Sequence, residues 1–291
     1  AAAVALARAL ARVALACGLL ALRAVPVAGL GGLVLGALVA APPVARVWIE
    51  GPAFVDVTRW ASPGEEVPAH RARWLLRNVD GLAVGGSRLT VRTDPPLRPG
   101  RGASRRGERS ERRRALFSRW DEGVQVDDEG LLSLTPEALA LEIARGARGV
   151  VIDGTAGVGG LTIAFARQPE VHRVVAVDRD RARLARAMHN ARIYGVHAKV
   201  TAVPGDLLAH LGALRGDLLV VDPPWGGRGY DREHVGVEDL GLDLRSVLAR
   251  WSGPMVLKLP RSFDVGQLEG FRVSAAIDAR GILKFLIARR P

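Results

Sequence analysis

The feature that most constrains the fold of this chain is a series of short apolar runs that end in aspartate. Three such runs, VVID, VVAVD and LLVVD, end at Asp153, Asp178 and Asp222. Runs this short and this continuously apolar are typical of strands that are buried on both faces of a sheet. Each is followed by a helical pattern, and this alternation predicts a parallel sheet covered by helices on both sides.

The same pattern predicts the individual elements. Buried strands are expected at residues 149–153, 174–178, 199–203, 218–222 and 255–259. Helices are expected at residues 160–167, 181–194, 207–214 and 239–251. Residues 271–277 and 282–287 follow with only a Gly-containing link between them, which predicts a hairpin. Five parallel strands and a hairpin favour an α/β fold with a Rossmann-like, seven-stranded sheet of the methyltransferase type over a dinucleotide-binding dehydrogenase.

Charge and cysteine content exclude some classes of protein. Cys17 is the only cysteine, so neither an internal disulfide nor a cysteine-held zinc is expected. The histidines are scattered, and no metal site is predicted. Residues 1–114 carry 18 basic and 8 acidic side chains, whereas residues 115–291 carry 23 and 22. The high isoelectric point therefore describes the first part of the chain and says little about the substrate.

The N-terminal part divides by composition into three regions. Residues 1–45 form an apolar extension, and the 22 uncharged residues 24–45 are long enough to span a bilayer, although their glycines and prolines also suit a packed extension. Residues 46–97 contain extended runs at 47–49, 54–57 and 89–93, which predict a small β-rich region without a chemical motif. Residues 98–115 hold eight arginines and predict a solvated linker, with a phosphate-binding tether as the alternative.

A glycine-rich loop follows the first predicted strand. After Asp153 come Gly154, Gly157 and Gly159, and glycines at such a turn let the backbone approach a ligand closely. The second strand ends in Asp178, where a carboxylate can accept hydrogen bonds from the ribose hydroxyls of a nucleoside cofactor. These two signals fit NAD and S-adenosylmethionine equally well.

The residues that follow the fourth predicted strand favour S-adenosylmethionine over NAD. This strand is followed by Asp222, Pro223, Pro224 and Trp225, and consecutive prolines stiffen the loop so that its acceptors can face an exocyclic amine. Trp225 offers a surface on which a purine can stack. The tetrad matches the (D/N/S)PP(Y/W) signature of methyltransferases that act on amino nitrogens. The alternative is a stiffened loop with Trp225 packed in the core.

Five segments together give a specific resemblance. The chain resembles the trimethylguanosine synthase family of RNA cap guanine-N2 methyltransferases from residue 116 onward, which makes residues 116–291 the predicted methyltransferase domain. The segments are LFSRWDEGVQVDDEGLLSLTPE, VIDGTAGVGG, VVAVDRDRARLARAMHNARIYGV, DLLVVDPPWGGRGY and LKLPRS.

The resemblance implies a site residue by residue. The cofactor is S-adenosylmethionine, and its implied contacts are Thr135, Asp153, Gly157, Asp178, Asn190 and Asp206. Trp225 would stack on 7-methylguanine, and Arg261, placed by Leu259 and Pro260, would contact the cap phosphates. One position departs from the family, because eukaryotic members have Ser where this chain has Asp222.

The leading hypothesis is methyl transfer to the exocyclic N2 of guanine in capped RNA, by a cytoplasmic catalytic domain that the N-terminus anchors to a membrane if residues 24–45 span one. The first alternative is the same chemistry on uncapped ribosomal RNA or DNA, at guanine N2 or adenine N6, which Asp222 favours. The second is a membrane-anchored module that binds the cofactor without transferring methyl groups. The intact site residues argue against the second alternative; they are Asp178, Asp222, Trp225 and Arg261.

Overall fold

A computed structural model describes residues 44–100, 113–226 and 233–291. The predicted apolar extension at residues 1–45 therefore lies outside the described residues except for its last two, which begin a strand. Most of the arginine-rich region at 98–115 also lies outside them. Within the described ranges, none of the helices combines the length and the apolar character that crossing a bilayer requires.

The regular elements alternate along most of the chain. The strands are β1 (Val44–Glu50), β2 (Glu65–Pro68), β3 (Ala83–Val84), β4 (Ser87–Arg88), β5 (Thr90–Asp94), β6 (Gly149–Asp153), β7 (Val171–Asp178), β8 (Val200–Pro204), β9 (Leu218–Val221), β10 (Met255–Pro260), β11 (Arg272–Ile277) and β12 (Leu283–Arg290). The α-helices are α1 (Ala69–Asn78), α2 (Asp128–Ser133), α3 (Glu137–Ala144), α4 (Gly160–Ala166), α5 (Arg181–Ile193), α6 (Leu207–His210) and α7 (Leu244–Arg250).

The predicted seven-stranded sheet is confirmed. Its strand order is β11-β12-β10-β9-β6-β7-β8, in which β8, β7, β6, β9 and β10 run parallel and β12 pairs antiparallel with both β10 and β11. Every residue of β10 is buried, as expected for a strand covered on both faces. Because the parallel strands end at one edge, the residues that follow β6, β7 and β9 meet there.

Two predicted helices have different bounds in the structure. The helix expected at 239–251 begins only at Leu244, because the Asp243 side chain accepts a hydrogen bond from the Ser246 N–H and caps the helix there. The helix expected at 207–214 ends at His210, whose carbonyl then accepts from the Ala213 and Leu214 N–H groups in the turn that follows. Neither change moves a strand end.

The described residues form two compact units, and the smaller one comprises residues 44–50, 57–82 and 89–100. It has a three-stranded sheet of order β2-β1-β5 and the helix α1, which buries Ala72 and Leu75. The sequence did not predict this helix. The strand predicted at 54–57 is wrong, because the Pro52 carbonyl accepts the Val55 N–H in a tight turn.

The larger unit contains the seven-stranded sheet and also residues 51–56 and 83–88. The second of these segments is the short hairpin of β3 and β4, whose turn residues Gly85 and Gly86 have positive φ values of 58° and 83°. Part of the predicted β-rich region at 46–97 thus belongs with the sheet that carries the site. The unit division does not follow the predicted boundary at residue 115.

Candidate active site

The loop after β6 is held by the aspartate at the end of β7. Asp178 Oδ2 accepts the Gly157 N–H at 2.7 Å, and its Oδ1 accepts the Asp180 N–H at 2.8 Å. Gly157 has a φ of 53°, and a Cβ built there would meet nothing within 4 Å, so the loop borders open space. Because Asp178 remains partly exposed, its remaining lone pairs can reach a ligand beside this loop.

Asp153, by contrast, lies inside the protein. The side chain is fully buried; its Oδ2 accepts the Thr162 hydroxyl at 2.6 Å and its Oδ1 faces the Thr155 N–H at 3.4 Å. Burial, with smaller contributions from the nearby charges of Asp222 and Asp178, raises the pKa of Asp153 to about 6, although these hydrogen bonds oppose the rise. Both carboxylate oxygens of Asp153 thus have hydrogen-bond partners inside the protein, so Asp153 supports the glycine-rich loop.

Asn190 has a similar supporting position. It is buried on α5; its Oδ1 accepts the Gln125 N–H at 2.8 Å, and its Nδ2 donates to the carbonyls of Gln125 and Val158, each at 2.9 Å. Its amide therefore joins the segment before α2 to the glycine-rich loop. Thr135 is also buried, just before α3.

The remaining predicted cofactor residues lie around the same edge. Gly154 is buried, and a Cβ there would come within 2.7 Å of the Leu207 side chain. Gly159, with a φ of 95°, would place a Cβ 3.0 Å from Ala187. Asp206 is exposed, and its Oδ1 accepts the Leu208 N–H at 2.8 Å at the start of α6. Both glycines are thus required by close packing.

The Asp-Pro-Pro-Trp tetrad directly follows β9, next to β6 in the sheet. The Asp222 N–H donates to Thr155 Oγ1 at 2.7 Å, which ties the tetrad to the glycine-rich loop. The Pro224 carbonyl accepts the Gly241 N–H at 2.6 Å, which fixes the second proline of the tetrad. Trp225 is partly buried and packs against the buried apolar residues of the core.

Lys258, which the sequence analysis did not assign to the site, is the main partner of the tetrad. Its Nζ lies 2.6 Å from Asp222 Oδ2 and donates to the Ser133 carbonyl at 3.1 Å. The same Nζ lies 4.8 Å from the centre of the Trp225 ring and 5.1 Å from that of Phe285, both within cation–π range. The Lys258 side chain is only 3% exposed, against 20% for Asp222.

The environment of Asp222 acts in two directions. Burial raises the pKa of the Asp222 carboxyl above its usual value, while the charge and hydrogen bond of Lys258 oppose that rise. A carboxylate and an ammonium at 2.6 Å form a charge-assisted pair, which neutralises the charge of Asp222 inside the sheet edge.

A sequence signal for Lys258 existed. It is one of three lysines in a chain with many arginines, and it stands alone inside an otherwise apolar predicted strand. A single charged residue in a buried strand calls for a partner. Its sequence position did not say which partner, because Asp222 and Ser133 lie 36 and 125 residues away.

Arg261 directly follows β10, so it lies at the same edge of the sheet as the tetrad. The preceding Leu259 and Pro260 are buried. The Arg261 carbonyl accepts the Gly85 N–H at 2.8 Å, which fixes its backbone through the β3–β4 hairpin. The hairpin is therefore a neighbour of a predicted substrate-binding residue.

Helix α2 is held at both of its ends by side chains from other elements. At its start, Asp127 accepts the Gly130 N–H at 2.8 Å, and Arg183 of α5 binds Asp127 at 2.7 Å and also Glu129. At its end, the Ser133 carbonyl accepts from Lys258. Burial raises the pKa of Asp127, but the bonds from Arg183 and Gly130 outweigh it and leave that pKa below its usual value. Helix α2 is thus bonded at its start to α5 and at its end to Lys258, the partner of Asp222.

Comparison with known proteins agrees with this geometry. The model of the family described as RNA cap guanine-N2 methyltransferase matches residues 148–281. The trimethylguanosine synthase of Schizosaccharomyces pombe is 34% identical over 172 residues, covering 54% of this chain and 71% of that protein. The release factor glutamine methyltransferase of Geobacter sulfurreducens is 31% identical over 176 residues, covering 57% of this chain and 61% of that protein.

A solved structure supports the fold. A protein from Porphyromonas gingivalis W83, described as a methyltransferase, aligns with a TM-score of 0.51 at 21% identity, over 63% of this chain and 48% of that one. The sheet order, the glycine-rich loop and the family match together define a class I S-adenosylmethionine-dependent methyltransferase. More specifically, the chain belongs to the RNA cap guanine-N2 methyltransferase family, that of the trimethylguanosine synthases.

The residues present fit S-adenosylmethionine. The open space at Gly157 admits a ligand against the backbone, and the adjacent Asp178 carboxylate suits a pair of ribose hydroxyls. Among the described residues no cluster of side chains could hold a metal ion. Gly157 and Asp178 are the residues that would contact the cofactor, while Asp153, Asn190 and Gly154 shape the glycine-rich loop.

Proposed function

We propose that this methyltransferase transfers a methyl group to the exocyclic N2 of a guanine in RNA, with the cap guanosine as the first acceptor to test. The observation that carries the proposal is the hydrogen bond from the Asp222 N–H to Thr155. This bond joins the Asp-Pro-Pro-Trp tetrad to Thr155, two residues before Gly157, where the Asp178-bound loop borders open space. The family description supports guanine N2 as the target.

The reaction depends more on aligning the amine with the methyl group than on making the amine more reactive. An exocyclic amine is a weak nucleophile because its lone pair is delocalised into the purine ring. S-adenosylmethionine, when bound, supplies an electrophilic methyl group on a positively charged sulfur. The Asp222 carboxylate and the Pro223 carbonyl can accept the two amine hydrogens, which turns the nitrogen lone pair toward the methyl group and stabilises the positive charge that develops on nitrogen.

Trp225 has a separate task in this proposal. Its partly exposed ring gives the purine a surface to stack on, and base–aromatic stacking contributes about 1 to 3 kcal/mol. Arg261, at the neighbouring strand end, can contact a phosphate of the acceptor. Asp222 and Pro223 therefore orient the amine, while Trp225 and Arg261 hold the rest of the nucleotide.

Methyl transfer to m7GTP, a dinucleotide cap and total RNA tests the proposal, with methylated nucleosides identified by mass spectrometry. We expect N2-methylated guanosine from at least one acceptor. Trp225→Ala should raise the acceptor KM and leave S-adenosylmethionine binding unchanged, and Trp225→Phe should retain part of the stacking. Asp222→Ala should lower kcat more than it changes the acceptor KM. A fully active Trp225→Ala enzyme with a lower melting temperature would leave Trp225 with a packing role alone.

A second candidate function is the same transfer to an uncapped target, at guanine N2 or adenine N6 of ribosomal RNA or DNA. The pair of Asp222 and Lys258 favours it, because eukaryotic members of the family have Ser at position 222 and lack this carboxylate. N6-methyladenosine as the main product would select this candidate.

A further inference from the structure

The helix of the smaller unit, α1 (Ala69–Asn78), has a basic outer face. Its sequence contains three arginines and a histidine and no acidic residue. Ala72 and Leu75 are buried and define its inner face. With about 3.6 residues in each turn, the side chains on the other side of the helix form the outer face. They are His70, Arg71, Arg73, Trp74 and Arg77, all of them at least partly exposed.

The arginines of this outer face differ from those on the strands of the same unit. Arg46 of β1 pairs with Glu66 of β2 at 3.2 Å, and Arg92 of β5 pairs with Glu50 of β1. Within the described ranges, none of the three arginines of α1 forms an ion pair. The positive charge of the strands is therefore compensated inside the unit, whereas the positive charge of α1 is available to an anionic partner.

Trp74 indicates what kind of anion fits this face. The Arg71 guanidinium carbon lies 4.6 Å from the centre of the Trp74 ring. Proteins bind single-stranded nucleic acids with such combinations, because unpaired bases stack on aromatic rings and on guanidinium groups while arginines bind the phosphates. An anion without bases could use the arginines but would gain nothing from the ring. Trp74 and Arg71 together therefore favour a single-stranded nucleic acid.

The chain that passes beside α1 carries more positive charge. The Gly100 N–H donates to the Arg73 carbonyl at 3.2 Å, which places residue 100 next to the helix. Residues 101–114 follow directly in the sequence and contain seven arginines and two glutamates. Residues 115–291, by contrast, carry 23 basic and 22 acidic side chains and attract a long polyanion only weakly.

We propose that the outer face of α1 is an RNA-binding surface that holds the acceptor RNA. Arg71 and Arg77 bind phosphates of an unpaired stretch, and Trp74 stacks on one of its bases. The inference rests on the proposed function for the kind of nucleic acid, because RNA is the proposed methyl acceptor. It gives a role to the smaller unit, which lies outside the family match at residues 148–281.

The test is binding of a fluorescein-labelled single-stranded RNA of about 30 nucleotides to the full chain, measured by anisotropy at several salt concentrations. Arg71→Gln combined with Arg77→Gln should weaken binding about tenfold at low salt. The slope of log K against log salt should become shallower by about 1.4, since each phosphate contact with a single strand contributes about 0.7.

The matched control is Arg46→Gln combined with Arg92→Gln. It removes the same charge from the same unit, but these arginines are already paired with Glu66 and Glu50. RNA affinity should stay within about twofold of the wild type, with an unchanged salt slope.

Two further variants separate stacking from charge. Trp74→Ala should weaken RNA binding without changing the salt slope, because stacking releases no counterions. Trp74→Phe keeps an aromatic ring and should retain part of the lost affinity, and melting temperatures show which variants are folded. The arginine variants change exposed or partly exposed side chains, so they test the proposal even if Trp74→Ala does not fold.

Three results would overturn the RNA-binding surface. The first is unchanged RNA affinity when Arg71 and Arg77 are replaced. The second is an equal loss in the control with Arg46 and Arg92 replaced, because net charge alone would then explain the effect. The third is lost binding to vesicles of phosphatidylserine and phosphatidylcholine with RNA binding unchanged, which would make α1 a membrane-binding surface instead.

The failures of the two proposals can be told apart. Methylation of m7GTP or a dinucleotide cap does not need α1 and should be the same in all arginine variants. Guanine methylation together with an RNA affinity that does not depend on α1 overturns only the RNA-binding surface. An RNA affinity that depends on Arg71 and Arg77, in a protein that binds S-adenosylmethionine and methylates no guanine, overturns only the proposed function.

Discussion

Three aspartates end the central strands of the sheet, yet each has a different environment. Asp153 is buried beneath the loop and bound by Thr162, and Asp178 accepts two backbone N–H groups and stays partly exposed. Asp222 is paired with Lys258. The same residue type at equivalent strand ends thus serves three purposes, because the neighbours of each carboxylate differ.

Asp178→Ala should weaken S-adenosylmethionine binding about tenfold or more, since charge-assisted hydrogen bonds contribute about 1.5 to 3 kcal/mol. Isothermal calorimetry on the folded variant measures this directly. Asp180→Ala is a matched control, because Asp180 lies two residues away and caps α5. Equal affinity in the wild type and in Asp178→Ala would place the cofactor elsewhere.

Asp153→Asn should change how stability depends on pH. The folded-state pKa of Asp153 is about 6 against an ordinary value of 3.8. A raised pKa in the folded state means that this group favours folding at low pH and that its contribution is lost as the pH rises from about 4 through about 6. When the pH is raised from about 4.5 to about 7.5, the wild type should therefore lose about 2 kcal/mol in its free energy of unfolding relative to the Asn variant.

Urea unfolding of both proteins at the two pH values provides the measurement. The comparison between pH values cancels any constant cost of placing an amide beside Thr155 and Thr162. Parallel curves for wild type and variant would show that Asp153 has an ordinary pKa.

At the scale of elements, α2 is the piece whose position depends most on distant residues. It has only six residues, and a helix this short is not stable on its own in water. Arg183 holds its first turn, and Lys258 holds its last carbonyl. Leu132, on the same helix, is 62% exposed, so apolar burial does not anchor that residue. Polar side chains from α5 and β10 therefore hold both ends of α2.

Arg183→Ala should loosen α2 without loosening the sheet. Removing the guanidinium leaves Asp127 and Glu129 without their partner, so the backbone amides of residues 128–133 should exchange with deuterium faster. Mass spectrometry of peptides from this region and from β6 makes the comparison. Arg181→Ala, an exposed position on the same helix, should leave exchange at α2 as in the wild type. Unchanged exchange in Arg183→Ala would assign the stability of α2 to other contacts.

At the scale of the whole molecule, the chain passes between the two units more than once. Residues 51–56 and 83–88 belong to the larger unit, although the sequence around them forms the smaller one. There the Phe54 carbonyl accepts the Ala275 N–H at 3.2 Å, and the Gly85 N–H donates to the Arg261 carbonyl at 2.8 Å. The predicted methyltransferase domain at 116–291 therefore lacks two segments that the folded unit contains.

A chain that begins near residue 110 tests what these segments contribute. It keeps the sheet, Gly157, Asp178 and Asp222, so it should be soluble and bind S-adenosylmethionine with nearly wild-type affinity. It loses the hydrogen bond that holds the Arg261 backbone, and we expect weaker methylation of a guanine nucleotide. Binding of long RNA should also depend less on salt, because most of the arginine-rich region is gone.

A chain that begins at residue 44 is the control for this truncation, since it keeps every described segment. Insolubility or lost cofactor binding in the shorter chain alone would show that residues between 44 and 109, which include 51–56 and 83–88, are required for the fold. Full acceptor activity in the shorter chain would remove the β3–β4 hairpin from the substrate side.

The sequence by itself determined the sheet and the positions of the chemistry-bearing residues along it. Periodicity and strand length are local properties, so β6, β9 and β10 were predicted nearly to the residue. Asp153 and Asp178 end β6 and β7, and Asp222 directly follows β9. The glycine-rich loop and the tetrad were equally visible in the sequence, because glycine and proline affect the backbone conformation at their own positions.

Only the tertiary structure decided which of these residues face a ligand and which support others. Lys258 meets Asp222 because β10 pairs with β9, and it reaches Ser133 across 125 residues of sequence. Asn190 and Asp153 turned inward for the same reason: the partners of a buried polar group are chosen by strand order and packing. Contacts of this kind depend on how distant segments are brought together, and a pattern read along the chain does not contain that information.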